Sequence, residues 1–488
     1  MSNLAATTLM NAVRPAVIAK RLGQLAVVLA SLTVVPLFVS LVTREPTIAL
    51  RYGLVVLALA IAGVWLSRRD APGTIQLNEG LTIGALAFTL TPLLMSYPLM
   101  GSGLGFIDAL FECVSGITTT GLSTLDSVDG RSFAFLFERA WLQWIGGLGI
   151  VVLAVALLAG DDIASRRLVE SAVSGESLGT STRLHARRCL VSYTLLTVAA
   201  IAVLWLSGWS TPDALLLALA AISTGGFSPH DASLAAAPLW PARLAVIGVA
   251  LLGAVSLPLY HSAWRRRWGT LARDPELRLL LLSIVLGSGL LMLLMSHAQG
   301  RWTLEQAAQA LTMAMSAQTT SGFASMPPAQ LDSASQLVLM VCMTVGGSVG
   351  STAGGIKLLR LWMLLRMGQF IVRRTLLPSH AVQVTRLHDR VLDGEAISAA
   401  LFLVLLFVAT VLLSWLPFLV AGHPPMASLF EVVSAVGTVG LSSGVTQAGL
   451  HPMLKGVLCI DMLMGRVEFV AVLVVLYPRN WFGRRRAA

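Results

Sequence analysis

The sequence predicts an all-α membrane protein. Four pseudo-symmetric helix–pore-loop–helix repeats surround a central pore, with two extra N-terminal transmembrane helices ahead of them. Three observations lead there: a strongly apolar composition, a one-sided distribution of basic residues, and a short Gly/Thr stretch that returns four times. Of 488 residues, 56% are apolar and 12% charged. A soluble domain carries about 25% charged residues, and a disordered chain needs low hydrophobicity and high charge, so neither class fits. Cys113, Cys189, Cys342 and Cys459 lie far apart without C-x-x-C spacing, suggesting neither a disulfide framework nor a zinc site.

A bilayer core of about 30 Å needs roughly 20 apolar residues in a helix. Runs of that kind occur near 23–43, 50–67, 77–98, 132–159, 184–208, 240–263, 277–298, 334–372 (interrupted), 396–420 and 453–477. An even number of spans puts both termini on one side. Loops on that side hold 26 of the 34 Lys and Arg, including Arg166–Arg167, Arg187–Arg188, Arg265–Arg267, Arg373–Arg374 and Arg484–Arg486. The positive-inside rule then makes both termini cytoplasmic. The formal charge of +10 is explained by topogenesis and anionic lipid rather than nucleic acid. The opposite side carries seven basic residues, Arg139 and Lys455 among them, against eleven acids, which would concentrate cations at an outer mouth.

Between the spans lie four apolar segments too short to cross: Phe106–Ile117, Asp213–Ile222, Leu304–Gln318 and Ala427–Val436. A 12-residue helix is about 18 Å long and reaches only mid-membrane. Each segment is followed by a Gly/Thr/Ser stretch, and the four align with Gly121, Gly226, Gly322 and Gly440 in register. Two positions earlier all four have threonine: Thr119, Thr224, Thr320 and Thr438. Repetition at near-constant spacing sets the architecture. It gives 1–70 as the N-terminal helices, then 71–160, 161–266, 267–374 and 375–488 as the four repeats. Non-helical backbone at membrane depth is tolerated only when buried in protein or lining a water-filled path. Four such loops around an axis line that path, and rings of carbonyls can replace the hydration shell of a cation. The ion-binding candidates are therefore Thr119, Thr120, Gly121, Thr224, Gly225, Gly226, Thr320, Ser321, Gly322, Thr438, Val439 and Gly440. No catalytic residue and no cofactor is expected; the metal involved is the transported ion.

In repeat 3 the second helix is interrupted by GGSVGSTAGG at 346–355. Glycine costs about 1 kcal/mol relative to alanine in a helix, so five glycines in ten residues should open a loop below the filter. A phosphate-loop reading fails, because Ile356 stands where the motif requires lysine. Arg466 lies deep in the last span, where a charge needs a buried partner or a wet cavity; opened loop carbonyls are candidate partners. Glu468, two residues on, has no evident partner. Glu112 and Glu431 occupy matching places in the first and fourth short helices, either raising the cation potential or bonding loop backbone. His230 and Asp231 are expected on a solvated rim.

Together these residues resemble the Trk/Ktr/HKT superfamily of potassium transporters, most closely its TrkH-type membrane subunits. The resemblance rests on the four loop stretches, on W-L-Q-W-I-G-G-L-G-I (Trp141–Ile150), on G-G-S-V-G-S-T-A-G-G-I-K (Gly346–Lys357) and on G-R-V-E (Gly465–Glu468). It implies a four-repeat pore conducting K⁺ and often Rb⁺, with glycine rather than serine at position 121 marking K⁺ selectivity. It further implies a homodimer and a separate TrkA-like cytosolic ring that binds nucleotide. The gate it implies comprises Gly346, Gly347, Gly350, Gly354, Gly355, Lys357 and Arg466. Two other readings compete. An intramembrane hydrolase would use Ser115, Ser223, Ser316 or Ser348 with His261 or His297, but no acid orients either histidine. An Na⁺- or H⁺-coupled carrier would repeat two units, not four.

Overall fold

The structure is a computed structural model. It describes residues 12–73, 75–158, 182–264, 269, 274–300, 302–376, 386–387, 390–391 and 394–482. The basic clusters Arg166–Arg167, Arg265–Arg267 and Arg484–Arg486, together with Arg301, lie outside the described residues.

Apart from one two-residue strand pair (Arg386–Leu387 with Arg390–Val391), the described regular structure is helical. Helices α1 (Pro15–Val42) and α2 (Pro46–Ser67) form an antiparallel hairpin. A Cβ on Gly23 would collide with Ser67 N, and one on Gly63 with Val27. Such close approach is how membrane helices associate without a hydrophobic driving force. The outward face of the pair carries exposed Phe38, Leu57, Ile61 and Trp65; in a bilayer these side chains meet lipid.

Repeat 1 consists of α3 (Leu77–Leu99), the short α4 (Phe106–Ile117) and α5 (Phe133–Leu158). Repeat 2 comprises α6 (Thr182–Leu206), the short α7 (Thr211–Ile222), α8 (Trp240–Ala254) and α9 (Leu257–Trp264). Repeat 3 comprises α10 (Pro275–Gln299), the short α11 (Leu304–Gln318), α12 (Ser333–Val345) and α13 (Leu358–Thr375). Repeat 4 comprises α14 (Gly394–Val420), the short α15 (Pro425–Val436), α16 (Pro452–Val467) and α17 (Phe469–Leu476), and Pro478–Phe482 forms a last turn, α18. Among the described residues, six helices are long and apolar enough to cross a membrane. Three of the other spans are broken in the middle.

Two of those breaks correct the reading above, which made 240–263 and 453–477 continuous. The first falls at Val255–Ser256, ahead of Pro258. Proline inside a helix lacks the N–H for the carbonyl four residues back and clashes with it, here that of Ala254, and the carbonyls freed at the end of α8 take partners from repeat 3. The second falls at Glu468, a non-glycine residue with φ +68°. Nothing in the local sequence requires it; a distant ion pair holds it there.

The described ends of the chain meet. Val13 N donates to Asn480 O at 2.8 Å, and Asn480 also bonds Asn78 and Thr82 near the start of α3. Beside them Arg14 pairs with buried Glu79 at 2.7 Å. The two ends therefore lie on one face, as an even number of crossings requires.

The short helices are tied to the second helices of their repeats by glycine. A Cβ on Gly146, Gly253 or Gly465 would overlap the terminal carbonyl of α4, α7 or α15, at Ile117, Ile222 and Val436. Overpacking of this kind costs about 1–3 kcal/mol. We therefore expect Gly465→Ala to lower the thermal midpoint of the purified protein in detergent by several degrees, while Gly456→Ala, which meets open space, leaves it unchanged.

Candidate functional site

The four short helices end alike, and the ending explains the loop. In repeat 1, Thr119 N bonds Gly116 O and Thr120 N bonds Ser115 O, each at 2.9 Å. The equivalent pairs recur from Thr224 and Gly225, from Thr320 and Ser321, and from Thr438 and Val439. This is a Schellman ending, which needs a left-handed residue just past the helix, usually glycine. Here that residue is threonine every time, with φ of +53°, +53°, +54° and +50°. A β-branched residue in this region is strained, by about 1–3 kcal/mol. Glycine is the residue that tolerates positive φ best; in these loops the threonines adopt it as well. Two residues on, Gly121, Gly226, Gly322 and Gly440 are also at positive φ, from +68° to +94°, with negative φ between. Alternation of this sort turns successive carbonyls toward the same side of the strand.

The four strands close a ring. A Cβ on Gly121 would fall on Gly225 O, one on Gly226 on Ser321 O, one on Gly322 on Val439 O, and one on Gly440 on Thr120 O. Each approach is nearer than the 3.0 Å that real Cβ atoms essentially never breach. Each repeat thus touches the next, and the fourth returns to the first. The threonines are buried, whereas the four glycines are part-exposed at one end of the ring. The twelve candidate residues from Thr119 to Gly440 are therefore brought together. Gly225 O accepts from the Gln143 side-chain amide, which also accepts from Phe227 N at 3.1 Å. Among the described residues, no hydrogen bond reaches the other eleven carbonyls of these segments. The hydroxyls of Thr119 and Thr438 are likewise buried without a partner.

The matching acids prove to be braces. Glu112 accepts from the Ser123 hydroxyl (2.6 Å) and Thr124 N (3.0 Å), and pairs with buried Arg139 at 2.8 Å. Glu431 accepts from Ser442, Ser443 and Thr446. Both are fully buried, so the loop-bonding alternative holds and neither faces a mouth. Arg139 and Lys455, counted by sequence on the outer surface, are also buried; Lys455 pairs with Asp108 at 2.5 Å. The exposed acids of that side are fewer: Asp126, Asp129, Asp231, Glu305 and Asp332. Asp231 joins two repeats by accepting from the Ser127 hydroxyl and Val128 N. Partial burial pushes its carboxyl up, but these bonds outweigh that and hold it below the ordinary carboxylate range. His230 lies 3.4 Å from Asp213 on the same rim. Ser115, one of the serines weighed as a nucleophile, serves its loop by accepting from Gly121 N, and Ser434 does the same for Gly440 N, both at 3.0 Å.

Beneath the ring, residues 346–357 form a loop with non-helical backbone, as expected. Gly346 ends α12 at φ +67°, and its Cβ would strike Gly354 O. A Cβ on Gly354 would strike Gly437 O and the Thr438 hydroxyl of the fourth strand. Ser348 N and Thr352 N donate to Ala254 O and Gly253 O, and Leu257 N returns a bond to Gly350 O, all at 3.1 Å. That pairing occupies the break between α8 and α9. Glu276 accepts from Val349 N at 2.8 Å. Arg466, buried, donates to Thr352 O (2.6 Å) in the loop and to Gly146 O (3.2 Å) in α5, so its partners are one loop carbonyl and one helix carbonyl. Lys357 caps α13 and bonds Ala353 O. The missing partner of Glu468 is Arg360 of α13, at 2.8 Å. Gln318 was not singled out by sequence; its amide donates to Gly346 O at 2.7 Å. Aligning the four copies would have exposed it, since the others have Ile117, Ile222 and Val436 there.

Known proteins resemble this chain in sequence and fold. The TrkH family model, described as a cation transport protein, matches residues 48–481. A Trk system potassium uptake protein TrkH from Halomonas elongata is 32% identical over 439 residues, spanning 86% of this chain and 89% of that protein. TrkH of Escherichia coli K12 is 29% identical over 481 residues, 95% and 99% of the two chains. The crystal structure of the potassium transporter TrkH from Vibrio parahaemolyticus superposes with a TM-score of 0.86 at 25% identity, covering 96% of this chain and all of that one. With the family matched over most of its length, and with its fold reproduced, this chain belongs to the TrkH family of cation transport proteins, a family of transporters rather than enzymes.

Proposed function

We propose that the protein takes up K⁺, and carries Rb⁺ as well, through a selectivity filter formed by the four Gly/Thr strands. The carrying observation is the set of eleven carbonyls without a donor. Seven of the eleven belong to buried residues; buried carbonyls in folded proteins nearly always have a partner, and a ring of unpaired oxygens suits a cation stripped of water. The relatives named as potassium uptake proteins support K⁺ as that cation. Glycine at 121, 226, 322 and 440 allows each strand to lie against the next one's carbonyl. Serine at any of them would both strain the backbone and push the ring apart.

The loop at 346–355 is the gate in this reading, and Arg466 its lock. A fixed guanidinium below the filter repels a cation on the path, and its bond to Thr352 O holds the loop across that path. The same reading places both termini in the cytoplasm of a bacterial inner membrane, on the positive-inside argument. It includes a homodimer, contacts with anionic lipid, and a TrkA-like nucleotide-binding ring docked on the basic cytoplasmic face.

Rubidium uptake into proteoliposomes by the purified protein tests the filter. The wild type should carry Rb⁺ far better than Na⁺. Gly121→Ser or Gly322→Ser should cut that ratio about tenfold, equivalent to roughly 1.4 kcal/mol of discrimination; folded variants with an unaltered ratio would contradict the filter. Arg466→Ala should raise Rb⁺ flux about tenfold in the absence of any partner. Arg466→Lys, which keeps the charge but loses the fork of donors, should fall between. A flux indifferent to both changes would remove Arg466 from the gate.

A further inference from the structure

We infer that Gln318 couples the glycine-rich loop to the filter, acting as the positioning residue that sets how readily the loop leaves its closed place; this rests on the pore reading above. Repeat 3 differs from the other three. In repeats 1, 2 and 4 the last residue of the short helix is Ile117, Ile222 or Val436, and its carbonyl packs on a glycine that is still helical, at Gly146, Gly253 or Gly465. In repeat 3 the residue is Gln318, and the helix it faces has already ended at Val345. The glutamine fills the difference. Its side chain is 1% exposed and its amide donates to Gly346 O, the first carbonyl of the loop, at 2.7 Å.

The loop's far end is tied to the same hairpin. Gly354 N donates to the Thr320 hydroxyl at 2.8 Å, two residues beyond Gln318. First and ninth residues of the loop are therefore held by one filter strand. The loop's middle is held by other parts of the protein: Ala254 and Gly253 of repeat 2, Glu276 of α10, and Arg466. Displacing the loop requires the Gln318 bond to break, leaving a buried carbonyl unpaired. An apolar residue at 318 imposes that loss on the closed arrangement alone, and so shifts the population toward the open one. The loop also touches the neighbouring strands, through the Thr224 hydroxyl, which donates to that of Thr352 at 3.4 Å, and through Gly354 against Thr438. In repeat 3 the ties run to the loop's backbone at both ends, so the loop cannot leave without breaking them.

The test uses the purified full chain with Gln318→Ile, the residue repeats 1 and 2 carry, and Gln318→Met, which keeps length and volume should isoleucine disturb folding. Rb⁺ flux into proteoliposomes without any partner should rise about five- to tenfold, the change one lost hydrogen bond produces. The Rb⁺ to Na⁺ ratio should stay at the wild-type value. Hydrogen exchange at 346–355 should accelerate by a similar factor, with exchange at the 117–123 strand unchanged. A folded Gln318→Met protein with wild-type flux and wild-type loop exchange overturns the coupling. So does a flux change accompanied by loss of the ion ratio, which would place Gln318 in the filter itself. A wild type that carries no Rb⁺ sinks the pore reading instead, and the exchange measurement then still decides whether Gln318 holds the loop.

Discussion

The structure depends on a backbone contact: a glycine α-carbon of each repeat lying against a carbonyl oxygen of the next, four times around a closed ring. A single methyl group at any of the four glycines would occupy space already taken by that oxygen. Much of the remaining sequence serves to hold this contact. Short helices deliver the strands to the right depth. Glycines in the neighbouring helices let those short helices be gripped by their terminal carbonyls. Buried glutamates, one with its arginine, pin the outgoing chain in repeats 1 and 4. Left-handed threonines complete each helix ending at a cost in backbone strain. A strained, β-branched residue retained in four independent copies points to use of its hydroxyl, since glycine would adopt the same backbone without strain.

The frame is fourfold but its lower half is not. Repeat 1 keeps one continuous second helix, repeat 2 breaks at Val255–Ser256, repeat 3 opens into a loop, and repeat 4 breaks at Glu468. These departures fit together. The carbonyls left at the end of α8 accept from amides of the loop, the arginine just before the last break donates to a loop carbonyl, and Glu468 fastens the far side of the loop through Arg360. Three of the four residues of G-R-V-E are thereby accounted for: Gly465 by close packing on Val436, Arg466 by its bond to Thr352 O, and Glu468 by its ion pair with α13.

Much of this was legible in the sequence, for physical reasons that also mark the limit. The short helices and the ring register could be read because a half-length apolar segment followed by Gly and Thr has few alternatives in a membrane, and because four copies check one another. The loop at 346–355 could be read because glycine density alone defeats a helix. The break before Pro258 carried a local signal that was passed over in a long apolar run. The break at Glu468 carried none: Arg360 lies 108 residues away in the chain, and no local rule anticipates it. Burial of Arg139 and Lys455 was hidden for the same reason, since their partners Glu112 and Asp108 come from other elements. Long-range pairing of charge is what sequence pattern does not encode.

The central claim is that the unpaired main-chain oxygens hold a dehydrated cation on the ring axis. Anomalous diffraction from crystals grown in RbCl addresses it most directly, because rubidium can be located without reference to the protein density. The account predicts peaks on the axis, at the level of Thr119 to Gly121 and their three counterparts, within coordinating distance of oxygens from all four strands. Rubidium found only at the rim near Asp126, Asp129 and Asp231, with nothing inside the ring, would contradict it.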